Sequence, residues 1–217
     1  MYLPRMFAED DRARSRALCD ENPFATVVAV GGGDEPAGGP EIAHVPCLVD
    51  EACARVRLHV ARANALARLA SERRRMTAVF HGPHCYVTPR WYGEPARQVP
   101  TWNYAVVHAS GPARVMEAGE LRALVGELSA RFEAGAAAPW RPEATEPGFV
   151  DRLLAGIAGI VIDVDRLEGK FKLSQNRSPE DRARVRAGLA GRGGPGDPDV
   201  LALMTAQAER DRGEPAG

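Results

Sequence analysis

The chain has 217 residues, of which 45% are hydrophobic and 26% charged, a composition typical of one folded globular core. Its 28 lysines and arginines and 29 acidic residues leave a net charge of −1. Because proteins that neutralise DNA phosphates usually carry a basic excess, this balance argues against DNA binding.

The sequence shows no sign of export or membrane insertion. The basic start and apolar run of a signal peptide are missing, and the longest apolar runs, 24–30 and 155–164, are too short to span a bilayer. We therefore expect a cytoplasmic protein. Its cysteines show no C-x-x-C pair and are expected to be free thiols in a reducing compartment. They are Cys19, Cys47, Cys53 and Cys85.

The first half of the chain is predicted to form strands and two short helices. Asp10 or Asp11 caps a helix that ends near residue 21. Apolar runs over 24–30 and 42–49 form a hairpin with a Gly- and Pro-rich tip over 31–40. The alternation of 55–61 predicts a half-buried strand, and Asn64 caps a helix over 65–74. Two strands follow, over 76–80 and 85–88, with a turn at Gly82-Pro83 between them.

The second half begins with a long strand over 101–116 and continues with helices over 119–132 and 149–157. Residues 160–164 and 169–173 are predicted to form a closing hairpin or one bent strand, and Ser178 caps a last helix that starts at Pro179. From residue 191 the chain is rich in Gly, Pro and charge. We therefore predict one domain over 1–192 and a flexible polar tail over 193–217. Six or seven short strands with helices outside predict a small β-barrel of the α+β class.

Several stretches match, in order, the motifs of one known family, over roughly residues 1 to 190. The most distinctive are Pro-Thr-Trp-Asn-Tyr at 100–104 and Lys-Leu-Ser-Gln-Asn at 172–176. The others are Asn-Pro-Phe at 22–24, His-Val-Pro at 44–46, His-Val-Ala-Arg-Ala-Asn at 59–64, Gly-Pro-His-Cys-Tyr at 82–86 and Pro-Arg-Trp-Tyr at 89–92. Together these stretches resemble the PaiB-like proteins, often described as FMN-binding negative transcriptional regulators.

The resemblance implies an FMN-binding split β-barrel with peripheral helices, which dimerises and holds its cofactor in the groove between the subunits. It also implies a choice of function, because the family includes regulators and haem enzymes. Among the latter are piperazate synthases, which close N-hydroxyornithine into a ring through an N–N bond. Two features near the expected groove depart from the pattern of the regulators. They are the short loop over 92–99 and the residues His81 and Cys85, and both argue against flavin as the bound cofactor.

Among the histidines, His59 has the sequence pattern most typical of a cofactor ligand. It shares a strand face with Arg55 and Arg57, opposite an apolar row, and neutral imidazole is a ready iron ligand. Within the resemblance, Arg62 and Asn64 are expected to meet propionates or a phosphate near a helix start. The alternative is a half-exposed histidine that makes a surface hydrogen bond.

Three other histidines have weaker patterns. His44 lies in a strand just before Pro46 and is either a catalytic group that faces the substrate or a satisfied core histidine. His81 and His84 have a spacing that a metal pair can use, but no third ligand accompanies them. We therefore interpret His81 and His84 as exposed imidazoles beside a turn.

The remaining candidates lie in the two distinctive motifs. Trp102 and Tyr104 share one strand face, so they either fill the core or stack on a cofactor ring. Asn103 lies on the other face. Asn103 and Thr101 are expected to form hydrogen bonds, because buried polar groups need hydrogen-bond partners. Lys172 faces away from the barrel interior and is either solvated or a catalytic or acid-binding group.

We therefore predict a haem b-dependent cyclase that converts N5-hydroxy-L-ornithine to L-piperazic acid with loss of water. His59 is the metal ligand, Arg62, Asn64, Trp102 and Asn103 bind the cofactor, and His44 and Lys172 are catalytic. The expected partners are a second subunit in an obligate homodimer and a small amino-acid substrate, with no useful affinity for duplex DNA. The alternative is an FMN-binding regulator without catalysis of its own.

Overall fold

A computed structural model of the chain describes residues 1–30 and 39–213. The predicted hairpin tip at 31–38 therefore lies outside the described residues. The strands are β1 (Ala8–Glu9), β2 (Phe24–Val30), β3 (Pro40–Val49), β4 (Arg55–Ala61), β5 (Arg75–Val87), β6 (Thr101–Val115), β7 (Ile157–Asp163) and β8 (Arg166–Lys172). The helices are α1 (Arg12–Glu21), α2 (Ala65–Ser71), α3 (Ala118–Phe132), α4 (Phe149–Leu154), α5 (Pro179–Arg192) and α6 (Asp197–Arg212).

The chain divides into two compact units, where the sequence predicted one domain. The helical unit comprises the described residues of Met1–Leu18, His81–Val107 and Glu168–Gly217. The barrel unit comprises those of Cys19–Phe80 and His108–Leu167. The long strands β5 and β6 each contribute one half to each unit.

The strands of the barrel unit form a closed ring. β2 pairs antiparallel with β3 and β5, β4 with β3 and β7, and β7 with β6. β5 and β6 are also neighbours, which closes the ring. Alternate residues point inward, so that Val27, Leu58 and Ile160 are fully buried. This architecture confirms the predicted α+β class.

Helix α3 covers part of the outer surface of the barrel unit. Its buried Leu121, Leu124 and Leu128 form a cluster with Leu48 on β3 and Val161 on β7. Glu117 caps the helix through a reciprocal capping box with Glu120. The barrel unit therefore has one core inside the ring and a second between the ring and α3.

The helical unit contains a sheet in the order β1-β8-β6-β5. One face of β8 is buried, because Phe171 and Leu173 are each 2% exposed, whereas the alternating residues are half-buried. Helices α5 and α6 pack together and bury four apolar side chains. These are Val185, Leu189, Val200 and Met204.

The prediction of a flexible tail from residue 193 is wrong for α6. Gly196, in the left-handed conformation at φ 77°, precedes this helix, and Val200 and Met204 on it are buried. Asp197 is 1% exposed and forms an ion pair with Arg192, with Nη2–Oδ1 2.5 Å apart. The apolar positions of α6 are few, and this is why the composition of the segment concealed a helix.

The predicted turn at Gly82-Pro83 is also wrong, because β5 runs through both residues without a break. A Cβ atom at Gly82 would lie 2.8 Å from the Leu18 side chain and 3.0 Å from the Ala105 carbonyl oxygen. The glycine therefore serves close packing inside the helical unit rather than a change of chain direction.

Two helix ends also differ from the prediction. Helix α2 ends at Ser71 rather than at residue 74, and Arg73 follows in the left-handed conformation at φ 58°. Helix α4 ends at Leu154, because the apolar run that begins at Ile157 pairs with β4 as a strand. In the part of the chain that the structure describes, no helix is long and apolar enough to cross a bilayer.

Candidate functional site

The predicted site residues fall into two groups, one in each unit. His44, His59, Arg62 and Asn64 belong to the barrel unit. Trp102, Asn103 and Lys172 belong to the helical unit.

His59 lies on the outer surface of β4, opposite Gly159 of β7. The predicted alternation is confirmed, since Val56, Leu58 and Val60 are buried and His59 is half-buried. The Nδ1 atom of His59 is buried, and no group in residues 1–30 or 39–213 bonds to it. Burial lowers the pKa of the imidazole, so the ring is neutral near pH 7. The neutral form of imidazole is the one that can bind a metal ion through a ring nitrogen.

The polar groups of Arg62 and Asn64 have partners within the barrel unit. Arg62 donates from Nε to the carbonyl oxygen of Ala155 at 2.7 Å and from Nη2 to that of Ile157 at 2.8 Å. Asn64 accepts from the backbone N–H of Leu66 at 2.9 Å and caps α2, as predicted. Both side chains therefore stabilise the chain around the end of β4, and their roles toward a cofactor stay predictions.

Arg62 also borders a cavity of about 530 Å³ in the barrel unit. The cavity has an apolar lining of Met116, Leu121, Leu154 and Ile157. An ion pair between Arg122 and Asp151 lies at its rim, and both side chains are more than half exposed. This arrangement can admit a small molecule with an apolar body.

His44 is exposed on β3, so the alternative of a core histidine is wrong. Its Nδ1 atom lies 3.1 Å from the hydroxyl of Thr26, the residue that faces it on β2. This hydrogen bond orients the ring and leaves the Nε2 edge open to solvent. His44 can therefore exchange a proton with a ligand at the surface of the barrel unit.

In the helical unit, Trp102 and Asn103 lie on opposite faces of β6. The Trp102 side chain is 52% exposed, so the alternative of a core aromatic is wrong. Asn103 is fully buried. Its Nδ2 atom donates to the Ser174 hydroxyl at 3.0 Å, and its Oδ1 atom accepts from that hydroxyl at 3.1 Å. The Asn103 amide therefore holds Ser174 inside the core, and its role toward a cofactor stays a prediction, whereas Trp102 presents an exposed ring.

The Lys172 ammonium donates hydrogen bonds to the Thr101 hydroxyl and to the Trp102 carbonyl oxygen, each at 2.6 Å. Burial lowers the pKa of this ammonium, and the nearby charges of Lys170 and Arg177 lower it further. Lys172 is therefore held at a defined position beside the exposed Trp102. The alternative of a freely solvated lysine is wrong.

The sequence did not reveal the residues that contact Asn103 and Trp102. Ser174 was part of a recognised motif but had no assigned role, although it adopts φ 67° and supports Asn103. The rings of His84 and Tyr86 lie 6.1 Å from the Trp102 ring, centroid to centroid. The continuity of β5, which the predicted turn obscured, would have shown that His84 and Tyr86 share a face.

As predicted, none of the four cysteines, all of which lie in the described part of the chain, forms a disulfide, and all four are buried. Burial raises the pKa of the Cys47 thiol to about 12 and that of Cys85 to about 11, so neither is a nucleophile near neutral pH. Within the two described ranges, no group of three or more His, Cys, Asp or Glu side chains is placed to hold a metal ion.

Residues 1–166 match the model of a family described as "Putative FMN-binding domain". The chain is 29% identical over 206 residues to the Protease synthase and sporulation protein PAI 2 of Bacillus subtilis, covering 94% of this chain and 96% of that protein. An uncharacterised protein of Emericella nidulans is 38% identical over 126 residues, which are 51% of this chain and 50% of that protein.

Two solved structures share the fold. The FAD and heme binding protein from Mycobacterium smegmatis has a TM-score of 0.60 at 20% identity, with 81% of this chain and 78% of that chain covered. The flavocytochrome Anf3 from Azotobacter vinelandii has a TM-score of 0.57 at 15% identity, with 83% and 78% covered. At these identities the likeness establishes the flavin-binding split-barrel fold alone.

Proposed function

Because the chain belongs to the family described as "Putative FMN-binding domain", we propose that it holds a flat cofactor and that this cofactor is haem b, bound through His59. We further propose that it is a cyclase, which converts N5-hydroxy-L-ornithine to L-piperazic acid with loss of water. One observation carries the haem assignment. It is the neutral, half-buried imidazole of His59, whose Nδ1 atom has no partner in the described part of the chain.

The residues of the barrel unit fit such a cofactor. One histidine suffices as a protein ligand to haem iron, so the lack of a multi-residue metal cluster among the described residues is no obstacle. Arg62 is fixed by two backbone carbonyls, and its remaining N–H groups can meet an acidic substituent. Bound haem would supply an iron centre that accepts electron density from the hydroxylamine and weakens its N–O bond.

The reaction needs no outside oxidant or reductant. The α-amine nitrogen forms a bond to N5 and gives up one proton as the N5–O bond breaks, and the hydroxyl leaves as water after gaining a proton, so that no net proton is consumed. His44 has an open ring edge and is positioned by Thr26, so we assign it the delivery of that proton. The protein must also hold the flexible substrate with its two nitrogens close together. Lys172 lies in the helical unit, and its part in turnover is a separate prediction.

We also propose that the protein acts as a homodimer. The outer faces of β2 and β3 carry Phe24, Val30 and Ile42, which are 65%, 66% and 53% exposed. An apolar surface of this kind on a folded unit is typical of protein interfaces. A monomeric mass at full cofactor occupancy would contradict this proposal.

A second candidate function is FMN binding in a regulator without catalysis. The family description favours it, as does the likeness to PAI 2 over almost the full length of both proteins. The net charge of −1 supplies no general attraction to duplex DNA, so such a regulator would act through another protein.

An absorption spectrum of the purified protein separates the two candidates. Haem gives an intense Soret band, and flavin gives weaker near-ultraviolet and blue bands. We expect a Soret band that the His59→Ala variant loses while it stays folded, and that the matched His81→Ala variant keeps. Incubation of the wild type with N5-hydroxy-L-ornithine should yield piperazic acid without added reductant, and His44→Ala should keep the haem and lose turnover. A flavin spectrum, or an unchanged Soret band in His59→Ala, would overturn the haem assignment.

A further inference from the structure

The cavity of about 530 Å³ in the barrel unit lies apart from the histidines of the reaction proposed above, because neither His59 nor His44 lines it. Its walls come from the end of β6, the start of α3, helix α4 and the start of β7. Its volume lies within the range of about 300–1,000 Å³ that is typical of small-molecule pockets. The cavity is therefore large enough for a ligand of its own.

The lining of the cavity is aliphatic. Met116 and Leu121 are buried in its wall, and Leu154 and Ile157 are partly buried and pack against the same cluster. No aromatic side chain of residues 1–30 or 39–213 lines it. A planar ring system would find no ring to stack on here, whereas an aliphatic chain gains by burial against these side chains. We therefore expect the apolar part of a ligand to be a short aliphatic chain.

Three charged side chains belong to the lining, and one of them is bonded to the wall itself. Arg62 donates to the carbonyl oxygens of Ala155 and Ile157, which also line the cavity. Arg122 of α3 and Asp151 of α4 form the ion pair at the rim, and their side chains are 57% and 62% exposed. Both charges of this pair are therefore accessible to a ligand in the cavity.

The rim pair also leaves hydrogen-bonding capacity unused. One hydrogen bond joins its two side chains, from Nη2 of Arg122 to Oδ1 of Asp151. By contrast, Arg57, Arg75 and Arg114 each hold a carboxylate through two hydrogen bonds. A guanidinium has five N–H donors, and a carboxylate has two acceptor oxygens. Arg122 can therefore bind a second carboxylate, and Asp151 can bind an ammonium, while the pair stays intact.

We propose that this cavity binds a free α-amino acid with an aliphatic side chain, such as leucine. The carboxylate of the ligand binds Arg122, its ammonium binds Asp151, and its side chain lies between Leu121 and Leu154. An α-amino acid carries both charges on one carbon atom, which matches two opposite charges that are already in contact. A carboxylate alone would come close to Asp151, and an amine alone would come close to Arg122, so either would meet a like charge.

Calorimetric titration with leucine and two truncated analogues tests the proposal. 4-Methylpentanoate is leucine without its ammonium, and 3-methylbutylamine is leucine without its carboxylate. We expect leucine to bind about tenfold or more tightly than either analogue, since a charge-assisted hydrogen bond contributes at this level. Glycine, which has no side chain to bury, should also bind about tenfold or more weakly than leucine.

Substitutions at the rim assign each charge of the ligand to its partner. Asp151→Asn should lower the affinity for leucine about tenfold and should not lower that for 4-methylpentanoate, which has no ammonium. Arg122→Gln should lower the affinity for leucine about tenfold and should not lower that for 3-methylbutylamine, which has no carboxylate. An exposed ion pair contributes little to stability, so both variants should stay folded.

The matched control is the ion pair between Arg75 and Asp165 in the barrel unit, whose side chains are 58% and 53% exposed. Arg75→Gln and Asp165→Asn should leave the affinity for leucine unchanged. His59→Ala should leave it unchanged as well, because His59 does not line the cavity. Loss of haem binding or of turnover in that variant therefore tests the proposed function without testing the amino-acid site.

Three results would overturn the proposal. The first is no saturable binding of leucine, isoleucine or methionine by the wild type up to about 10 mM. The second is equal affinity of the wild type for leucine and 4-methylpentanoate. The third is displacement of leucine by N5-hydroxy-L-ornithine at equal or lower concentration, which would make the cavity the substrate site of the proposed reaction instead.

Discussion

Strands β4 and β8 have almost the same pattern, with a positively charged side chain, a buried apolar one and a second positive charge. On β4 of the barrel unit, Arg57 forms a two-pronged ion pair with Glu127 of α3, at 2.8 and 2.6 Å. On β8 of the helical unit, Lys172 contacts only neutral oxygens. The same pattern therefore places a cation beside an opposite charge in the barrel unit and a cation beside neutral oxygens in the helical unit.

The difference shows which charges to regard as functional. The ion pair between Arg57 and Glu127 raises the pKa of the arginine and lowers the pKa of the glutamate, so each charge stabilises the other. For Lys172, burial and the neighbouring cations both lower the pKa, because both disfavour the charged ammonium. A charge that the fold itself leaves without compensation is the better candidate for binding something outside the fold.

The largest expected effect concerns helix α6 of the helical unit. Truncation after Gly193 removes α6, including the buried Val200 and Met204. Each side chain contributes about 2 kcal/mol through burial, so we expect a loss of ~4 kcal/mol and a melting temperature lower by about 10 °C. Circular dichroism measures this change. The control is a chain truncated after Arg212, which should have the melting temperature of the full chain. Equal melting temperatures of the two truncated chains would contradict the role of α6 and support the predicted flexible tail.

Asn103 provides the next test, because it was predicted to bind the cofactor and lies buried in the core. In Asn103→Ala the Ser174 hydroxyl loses its partner inside the core, which costs about 2 kcal/mol in free energy of unfolding. Urea unfolding measures this, with the exposed Asn176→Ala as the control. Unchanged stability together with lost cofactor binding would contradict the structural role.

Replacement of the two compared cations by methionine tests the comparison itself. Arg57→Met leaves Glu127 unpaired on the surface and should lower stability by about 0.5–1 kcal/mol. Lys172→Met removes a half-buried charge without a counter-ion, so its stability should equal or exceed that of the wild type. Urea midpoints without added ligand give both values. A larger loss in Lys172→Met than in Arg57→Met would refute the distinction between the strands.

The smallest expected effect is the pH dependence that His59 contributes. Its pKa in the folded protein lies below the value of about 6.5 in the unfolded chain, so the unfolded state takes up the proton first as the pH falls. Stability from this group is present above pH 6.5 and is lost as the pH falls toward the folded pKa. His59→Gln should therefore flatten the melting temperature between pH 7 and pH 5, and the exposed His84→Gln should not.

Much of the fold was predictable from local patterns. The bounds of β2 and β4 match the prediction residue for residue, because β2 is an apolar run with clear ends and β4 alternates between apolar and charged residues. Asn64 and Ser178 cap the helices expected of them. The strand face of His59 was predicted for the same reason, since alternation alone decides it.

The rest depended on tertiary contacts that no local pattern contains. The Gly82-Pro83 pair has the composition of a turn, yet it lies inside a strand because the Ala105 backbone approaches closely. Helix α6 is stabilised by a few buried side chains and by the Arg192–Asp197 ion pair rather than by an apolar stripe. The partners of Arg62 and Lys172 lie 93 and 71 residues away in the chain, so only the fold shows which of them is satisfied.

The two lysines of β8 also make this strand a reporter of its own opening. An endoprotease specific for lysine can cut the chain only after Lys170 and Lys172. Lys170 is paired with Ala8 of β1, so this site becomes accessible only when β8 leaves the sheet. The rate of digestion under native conditions therefore measures the local opening of one strand, without any label.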